Sequence, residues 1–493
     1  MAVPKKKITI VGAGLGGSIL GIYLARRGYE VHLFELRGDL RKEPVEVGRS
    51  IKLTLAERGL AALRELGLEE EVQTTITVPL RGRAVHSGKG TVVYQPYGKN
   101  DQEVIHSFSR NDLNAVLLNA AEREKNVHLH FNQRCTGIEK ETATALFQNT
   151  RTGEEVRFTS DLVVGADGAY SIVRQHMQRR ERADYRQDYL PWGYKEITVR
   201  ASAQGLPPMD HHALHIWPCG DHLLFALPNF DGSLCGVCVL PFEGRHSFDA
   251  MKTDRDVLDL FETHFADVLP YMPNAVEEFK TRPISEFITV RTSCWHHKDK
   301  VLLVGDAAHS VVPFYGQGMN AAFEDASTLN RLLDRYGESD WGAMFHEFQS
   351  LRKPHTDVLA QLSIDNFDEL RDTVRRPLVT ARKSTSIFLN RLFRQHSVPL
   401  YTMVSHSTLP YGECVERHHR QERIARFLGL DLVLGAVALY VKIKTARANR
   451  LAARLAEGRK AAPTVVAVPL PQVETVEEPA PVGAGEPETV KRG

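Results

Sequence analysis

The stretch VLLVGDAAHSVVPFYGQGMNAAFED, residues 301–325, decides the fold. Residues 301–304 are a continuous apolar run of strand length, ending at Gly305 and Asp306. The chain then passes through Ala-Ala-His and Pro313 and enters a helix-like pattern from about Gly318. A buried strand that delivers an acid at its carboxyl end, followed by a glycine-bearing turn and a helix start, is a ligand-gripping arrangement. Asp306 can accept hydrogen bonds from a sugar or sugar-alcohol hydroxyl. The amides of Gly318, Met319 and Asn320 would face an anion or an electron-rich ring edge.

Working outward, the amino end carries the matching half of such a site. Residues 7–11 read as a strand, and Gly12-Ala-Gly14-Leu-Gly16-Gly17 follows at once. Residues 18–27 read as a helix and 30–34 as a second strand ending in Glu35. The glycines suit a tight turn, close approach of backbone to a pyrophosphate, and close helix–strand packing. Glu35 arrives at about the 20-residue spacing that suits binding of ribose hydroxyls. This turn alone does not separate NAD from FAD; with the distal Gly-Asp segment it favours FAD.

Bulk properties narrow the remaining classes. At 493 residues the chain has room for two or three domain-sized units. Lys+Arg 62 against Asp+Glu 61 leaves a net charge of +1, so no broad field for nucleic acid is expected. The first residues are basic but pass straight into the glycine turn without a signal-peptide apolar core. Six scattered cysteines do not look like a disulfide framework, and Cys235 and Cys238 read as core residues of a strand-like run. The 21 histidines show no ligand spacing and read as ordinary polar or core residues, with no metal expected. A reducing cytosol is the expected location.

Between the two glycine turns lie further signals. DLVVGADGAYSIVR, residues 161–174, is a strand ending in Gly-Ala-Asp167-Gly168. Residues 80–86 and 91–97 alternate like strands and carry Arg81, Arg83 and Tyr97. Ser109-Arg110-Asn-Asp-Leu113 begins a helix, residues 127–131 are a strand, and a hairpin runs through Cys135 to 158. From 189 to about 289 alternating strands should form an antiparallel sheet inserted between the glycine motifs. After Asp325 the pattern is helical, over 326–336, 341–351, 356–374 and 378–393. Residues 427–441 are the most apolar run, short of the ~20 clean residues that a spanning helix needs, and read as a packed or membrane-surface helix. Residues 459–493 read as a disordered tail.

The run GDAAHxxxPxxGQGMNxxxED, with GxGxxG, SRxxL and GADG in order, closely resembles the motifs of the class A FAD-dependent aromatic hydroxylases. Within that family the resemblance is nearest to the members that hydroxylate L-kynurenine, and covers about residues 7–420. It rests on GRSIKLTL (48–55), RGRAVHS (81–87), PYG (96–98), LHIWP (214–218), PFYGQGMNA (313–321) and PLYTMV (399–404). The implied fold is α/β: a Rossmann-like, para-hydroxybenzoate hydroxylase-like FAD-binding domain, an inserted antiparallel β-sheet substrate domain, and C-terminal helices. The expected division is 1–78, 101–182 and 290–350 for FAD; 79–100 and 183–289 for the sheet; 351–458 helical; 459–493 tail.

The resemblance also implies roles. FAD would meet Gly12, Gly14, Gly16, Gly17, Glu35, Arg37, Thr54, Arg110, Cys135, Asp167, Gly168, Ile172, Asp306, Gly318, Met319 and Asn320. Arg83 and Tyr97 would hold the amino-acid carboxylate, with Asn366 and Tyr401 as further polar contacts. Ile216, Phe225, Pro313, Phe314 and Tyr315 would wall the aromatic pocket. A bidentate guanidinium–carboxylate clamp needs Arg rather than Lys. NADPH would reduce FAD transiently, since no second GxGxxG appears. Oxygen addition to the reduced flavin, as a C4a-hydroperoxide, would hydroxylate the ring, without a protein acid–base pair. The product, 3-hydroxykynurenine, belongs to tryptophan catabolism towards NAD. Tyr315 departs from the family, which usually has Phe there, so another anthranilate-like or aromatic amino-acid substrate is a second reading. A non-catalytic, membrane-associated flavin protein using 427–441 is a third.

Overall fold

Apolar runs too short for helices become the parallel strands at the centre of the molecule. A computed structural model describes residues 5–43, 52–86, 91–98, 103–179, 182–201, 209–372 and 398–427. These belong to the unit Met1–Gly435; the second unit, Ala436–Gly493, lies outside the described residues. So do the expected helix over 378–393, nearly all of the apolar run 427–441, and the tail. No described helix is long and apolar enough to cross a membrane.

The central sheet runs His296–His297, Val301–Leu303, Leu162–Gly165, Lys7–Val11, Glu30–Phe34, Val127–His130. Every pair is parallel except the edge pair His296–His297 with Val301–Leu303. Strands covered on both faces lose the polar half of the usual alternation, which explains the unbroken apolar runs. Register does the rest. Val11 pairs with Gly165, and Gly165 with Leu303, so three strands end side by side. The turns at Gly12, at Ala166 to Gly168 and at Gly305 therefore line one edge of the sheet, although they are far apart in sequence. Helices Leu15–Arg26 and Gly318–Tyr336 start at that edge and pack against each other.

The second large sheet has seven strands, in the order Ser285–Thr292, Tyr185–Val199, Leu234–Pro241, Leu223–Pro228, Ala213–Pro218, Gly82–His86, Val92–Pro96. It is antiparallel except where Gly82–His86 meets Ala213–Pro218 in parallel, a departure from the all-antiparallel expectation. That crossover brings two strands from the first hundred residues onto the inserted sheet. Both of its faces are covered. Trp217, Leu224 and Cys238 pack towards helices Asp254–His264 and Ala275–Thr281. Their strand neighbours Ile216, Leu223 and Val237 pack on the other face with Phe287, Phe314 and Phe367. This is the two-residue alternation of a strand with a core on each side.

Three local expectations change. Residues 80–86 are two strands in different sheets: Thr77–Leu80 pairs with Ile105–Ser109, and Gly82–His86 joins the seven-stranded sheet. Arg81 makes the break, donating its amide to His212 O at 2.8 Å. The hairpin through Cys135 is a three-stranded meander, Gln133–Glu139, Thr144–Asn149 and Glu155–Thr159. The helices expected over 341–351 and 356–374 are one helix, Trp341–Asp372, that passes through Pro354. Proline removes one helical hydrogen bond and costs ~3 kcal/mol in a helix interior. Here Phe345 and Phe348 before it, and Leu359 and Leu362 after it, are buried, and that packing outweighs the break.

Candidate active site

A cavity of about 310 Å³ opens where the three glycine turns face the seven-stranded sheet. Its turn end is lined by Gly14, Gly16, Arg110, Gly168, Asp306, Gly318 and Met319, together with Thr54. Its sheet end is lined by Arg83, Tyr97, Ile216, Phe225, Pro313, Phe314, Tyr315 and Tyr401. Lys52, Leu53, Tyr194, Leu214, Leu223, Leu227 and Glu286 also line it; of these, Lys52, Leu53 and Leu214 fall inside the quoted motifs 48–55 and 214–218.

At the turn end the backbone demands glycine. Gly12 has φ +100°, and a Cβ there would sit 2.5 Å from Ala166 O. Gly12 and Gly17 do not line the cavity; they let the first turn nest against the second, and a Cβ on Gly17 would meet Gly12 O at 1.9 Å. Glu35 stands beside this turn, accepting from the amides of Ala13 and Arg37, each at 3.1 Å. Two such bonds leave carboxylate lone pairs for a diol. Arg37 is mostly exposed and lies 3.9 Å from Glu35. Asp306 is exposed to the cavity, while the protein crowded around it pushes its carboxyl above the usual range, against the pull of Arg110 and His309.

Several expected cofactor contacts are engaged elsewhere. Asp167 accepts from Ile172 N at 2.7 Å and Val173 N at 3.2 Å, so the Asp167 carboxylate and the Ile172 amide cap helix Ile172–Gln178. Asn320 accepts from Ala56 N and donates to Thr54 O and Gly316 O, each at 2.9 Å. It ties the 313–316 loop to the strand Lys52–Leu55. Cys135 does not line the cavity; burial pushes its thiol up to about 12, which keeps it protonated.

Behind the Gly305 turn lies a buried ionic chain to which the sequence reading assigned no role. Asp325 accepts from Gly305 N at 2.9 Å, His309 Nε2 at 2.6 Å and Arg352 Nε at 2.7 Å. Arg352 also pairs with Glu324 at 2.6 Å, and Glu324 with Arg58 at 3.0 Å. Arg174 Nη1 donates to Ala307 O at 2.8 Å, joining the GADG helix to the same turn. The sequence signal was present: His309, Glu324, Asp325 and Arg174 all fall inside the quoted motifs.

The sheet end is built around Arg83. Tyr97 N donates to Arg81 O at 2.9 Å, closing the hairpin so that Arg83 and Tyr97 face the same space. Tyr401 comes from helix Leu400–Ser405 and stacks on Tyr97, with centroids 5.1 Å apart. The Arg83 guanidinium lies 4.6 Å from the Tyr401 ring and 5.5 Å from the Tyr97 ring. Arg83 is 8% exposed, and among the described residues no carboxylate pairs with it. Its Nε and the Tyr97 hydroxyl are buried without a hydrogen-bond partner. Burial works against the guanidinium charge and the two phenols favour it, with a net upward shift; burial pushes the Tyr97 phenol up, leaving it a neutral donor. Unpartnered buried donors of this kind cost free energy unless something accepts from them. Asn366 lies outside the cavity lining; its Nδ2 donates to Phe314 O at 2.6 Å and holds the loop that carries Phe314 and Tyr315. Tyr315 leans against Tyr401 at 5.6 Å.

The turn end fits FAD: a side-chain-free cradle, a carboxylate at the end of the second strand, and an arginine and an aspartate facing the cavity. The comparisons agree. The family model for an FAD binding domain matches residues 5–355. A kynurenine 3-monooxygenase of Salinispora arenicola is 44% identical over 453 residues, covering 91% of this chain and 99% of its own. One from Myxococcus xanthus is 42% identical over 407 residues, covering 83% and 87%. Among solved structures, the tetrameric form of 2-methyl-3-hydroxypyridine-5-carboxylic acid oxygenase superposes with a TM-score of 0.61 at 21% identity, covering 75% of this chain and 93% of that one. Pseudomonas aeruginosa PqsL in complex with 2-aminobenzoylacetate gives 0.57 at 20%, covering 75% and 98%. At such identities the two structures bear on the fold alone.

Proposed function

The chain belongs to the kynurenine 3-monooxygenase family of FAD-dependent hydroxylases, and from that premise we propose that it converts L-kynurenine to 3-hydroxykynurenine. The observation that carries the substrate assignment is the buried Arg83, which has no acid to pair with among the described residues, beside the Tyr97 hydroxyl, which has no hydrogen-bond partner among them. A carboxylate bound there receives two charge-assisted hydrogen bonds from the guanidinium fork and one from the phenol. The cavity between this clamp and the glycine turns is apolar on both sides, with Leu214, Ile216, Phe225 and Leu227 from the sheet and Phe314 from the loop. That leaves a dry slot for an aromatic ring whose amino-acid end is fixed.

When bound, FAD would supply the oxygen-activating chemistry, with NADPH as reductant and O2 as the source of the atom that enters the ring. The protein's part is position and dryness. Arg83, Tyr97 and Tyr401 fix the substrate's charged end, and the aliphatic wall excludes water from the reacting carbon. Asn366 holds the Phe314 carbonyl and with it the pitch of the loop between ring and cofactor. Glu35 would receive hydroxyls of the cofactor's ribose and Asp306 those of its ribityl chain, with Arg110 lining the turn end beside Asp306. The chain of Arg352, Asp325 and His309 keeps the Gly305 turn, and so Asp306, in place.

The test is NADPH oxidation by the purified yellow protein with and without L-kynurenine, with product mass and H2O2 read together. A gain of one oxygen with little peroxide is expected. Stimulated oxidation that yields only peroxide would show that L-kynurenine fits but is held wrongly. Tyr315 favours one second reading, a related aromatic amino acid whose polar group meets the phenol. A substrate panel scored by product formation separates the two.

A further inference from the structure

Away from the cavity, the turn of the hairpin Ala213–Pro218 to Leu223–Pro228 gathers a second set of chemical groups. Cys219, His222 and His264 each present a ligand atom, and the three atoms lie within 4.8 Å of one another. His264 ends helix Asp254–His264, and His246 comes from the loop before it. The three imidazoles meet edge to face: His222 to His264 at 4.5 Å, His222 to His246 at 5.0 Å and His246 to His264 at 5.0 Å. The turn is tight, with Gly220 at φ +95° and Cys219 N donating to His222 O at 3.0 Å, so Cys219 and His222 are held together.

The hydrogen-bonding state of His222 points to a ligand. It is 1% exposed, and its Nδ1 lies 2.7 Å from Asp221 Oδ1. A carboxylate only accepts, so Nδ1 carries the proton. The neutral ring then has its lone pair on Nε2, which is buried and has no partner. A carboxylate on one imidazole nitrogen with the other left for a cation is the outer-shell pattern of metal-bound histidine. By contrast, the group Glu30, His32 and His128 has both His32 nitrogens engaged, by Glu30 at 2.9 Å and His130 at 3.0 Å.

We propose that Cys219, His222 and His264 bind one zinc ion that clamps the hairpin turn to the end of helix Asp254–His264. One thiolate and two imidazoles, with a water in the fourth position, suit Zn2+ in tetrahedral geometry. Binding forms one Zn–S and two Zn–N bonds, releases the Cys219 thiol proton and displaces all but one of the ion's waters; nothing is oxidised or reduced. Asp221 orients His222 from outside the first coordination sphere. The clamped hairpin is the one that carries Ile216, Leu223 and Phe225 into the cavity, so the ion braces the wall opposite the Phe314 loop.

The test uses the FAD-loaded, full-length protein stripped with a chelator and titrated with Co2+, then Zn2+. One Co2+ per chain is expected, with a near-ultraviolet thiolate-to-cobalt band and the visible bands of tetrahedral Co2+, both abolished by Zn2+. Zinc at a hundredfold excess over Kd should raise Tm by roughly 3–6 °C. Cys219→Ser should lose the thiolate band and His264→Gln should weaken binding by about a hundredfold, with FAD absorbance reporting that each variant is folded. Cys294→Ser, remote from the cluster, should keep the band. Absence of both the band and the Tm shift in the wild-type protein, or an unchanged band in Cys219→Ser, would overturn the assignment.

Discussion

Replacing Arg83 by Met separates a binding role from a structural one. Among the described residues the guanidinium has no acid partner, so its removal strands no counter-charge there. What is lost is contact with two phenol rings, at 4.6 and 5.5 Å. Each such contact is worth about 0.5–2 kcal/mol. What is relieved is the desolvation of a nearly buried cation, several kcal/mol in the other direction. Met fills much of the same volume. The substrate-free variant should therefore be as stable as wild type or slightly more so, with its FAD retained. Binding behaves differently. Losing a buried, hydrogen-bonded charge contact costs about 2–5 kcal/mol, equivalent to about a 30- to 5000-fold weaker Kd for L-kynurenine. Arg83→Lys should fall between the two, because an ammonium keeps the charge but not the planar fork. Substrate Kd from flavin absorbance titration, KM from product formation, FAD content and Tm are measured together. A KM within threefold of wild type with FAD intact would refute the clamp. A Tm drop of more than about 5 °C would show that Arg83 holds the fold, since losing a buried cation without an acid partner should leave stability unchanged or raise it.

Three further perturbations address other parts of the site. Asn366→Ala leaves the Phe314 carbonyl without its donor, at about 1–3 kcal/mol. It should raise H2O2 released per NADPH more than it changes substrate Kd, and unchanged coupling would remove Asn366 from loop positioning. Gly12→Ala forces a Cβ towards Ala166 O at φ +100° and should yield protein with little bound FAD; one FAD per chain at wild-type Tm would contradict the cradle. Asp325 tests the ionic chain by pH. Burial raises its carboxyl, but His309 and Arg352 more than reverse this, to about 2 against an ordinary 3.8. A folded value below the unfolded one adds stability that is complete above about pH 4. It is lost as pH falls through about 2, and amounts to about 2 kcal/mol. Asp325→Asn should lack this acid limb in Tm against pH and be about 1–3 kcal/mol less stable at pH 7, because the buried Arg352 keeps only Glu324 as its counter-charge. Parallel profiles for the two proteins would count against it.

The sequence by itself determined the cofactor end. GxGxxG after residues 7–11, GADG after the 161–165 strand and Gly-Asp after 301–304 are local signals, each set by what a strand-to-turn junction requires of its own backbone. Their order along the chain was enough to fix the fold class, and the resemblance they carry named the family. It also singled out Arg83 and Tyr97, which composition and spacing do not distinguish from surface residues of an alternating strand. Tertiary structure decided whatever depends on who stands next to whom. Parallel register placed three distant turns on one edge, and the parallel pairing of Gly82–His86 with Ala213–Pro218 carried Arg83 to the cavity wall. Packing carried one helix through Pro354, where the sequence signalled a stop. The resemblance marks Asp167, Asn320 and Asn366 as ligand contacts; only the fold shows that their side chains also satisfy neighbouring backbone groups. The cluster at 219, 222 and 264 has no readable spacing because a turn and a helix end supply it. Local geometry is written in neighbouring residues. Proximity between distant ones exists only once the sheets have formed.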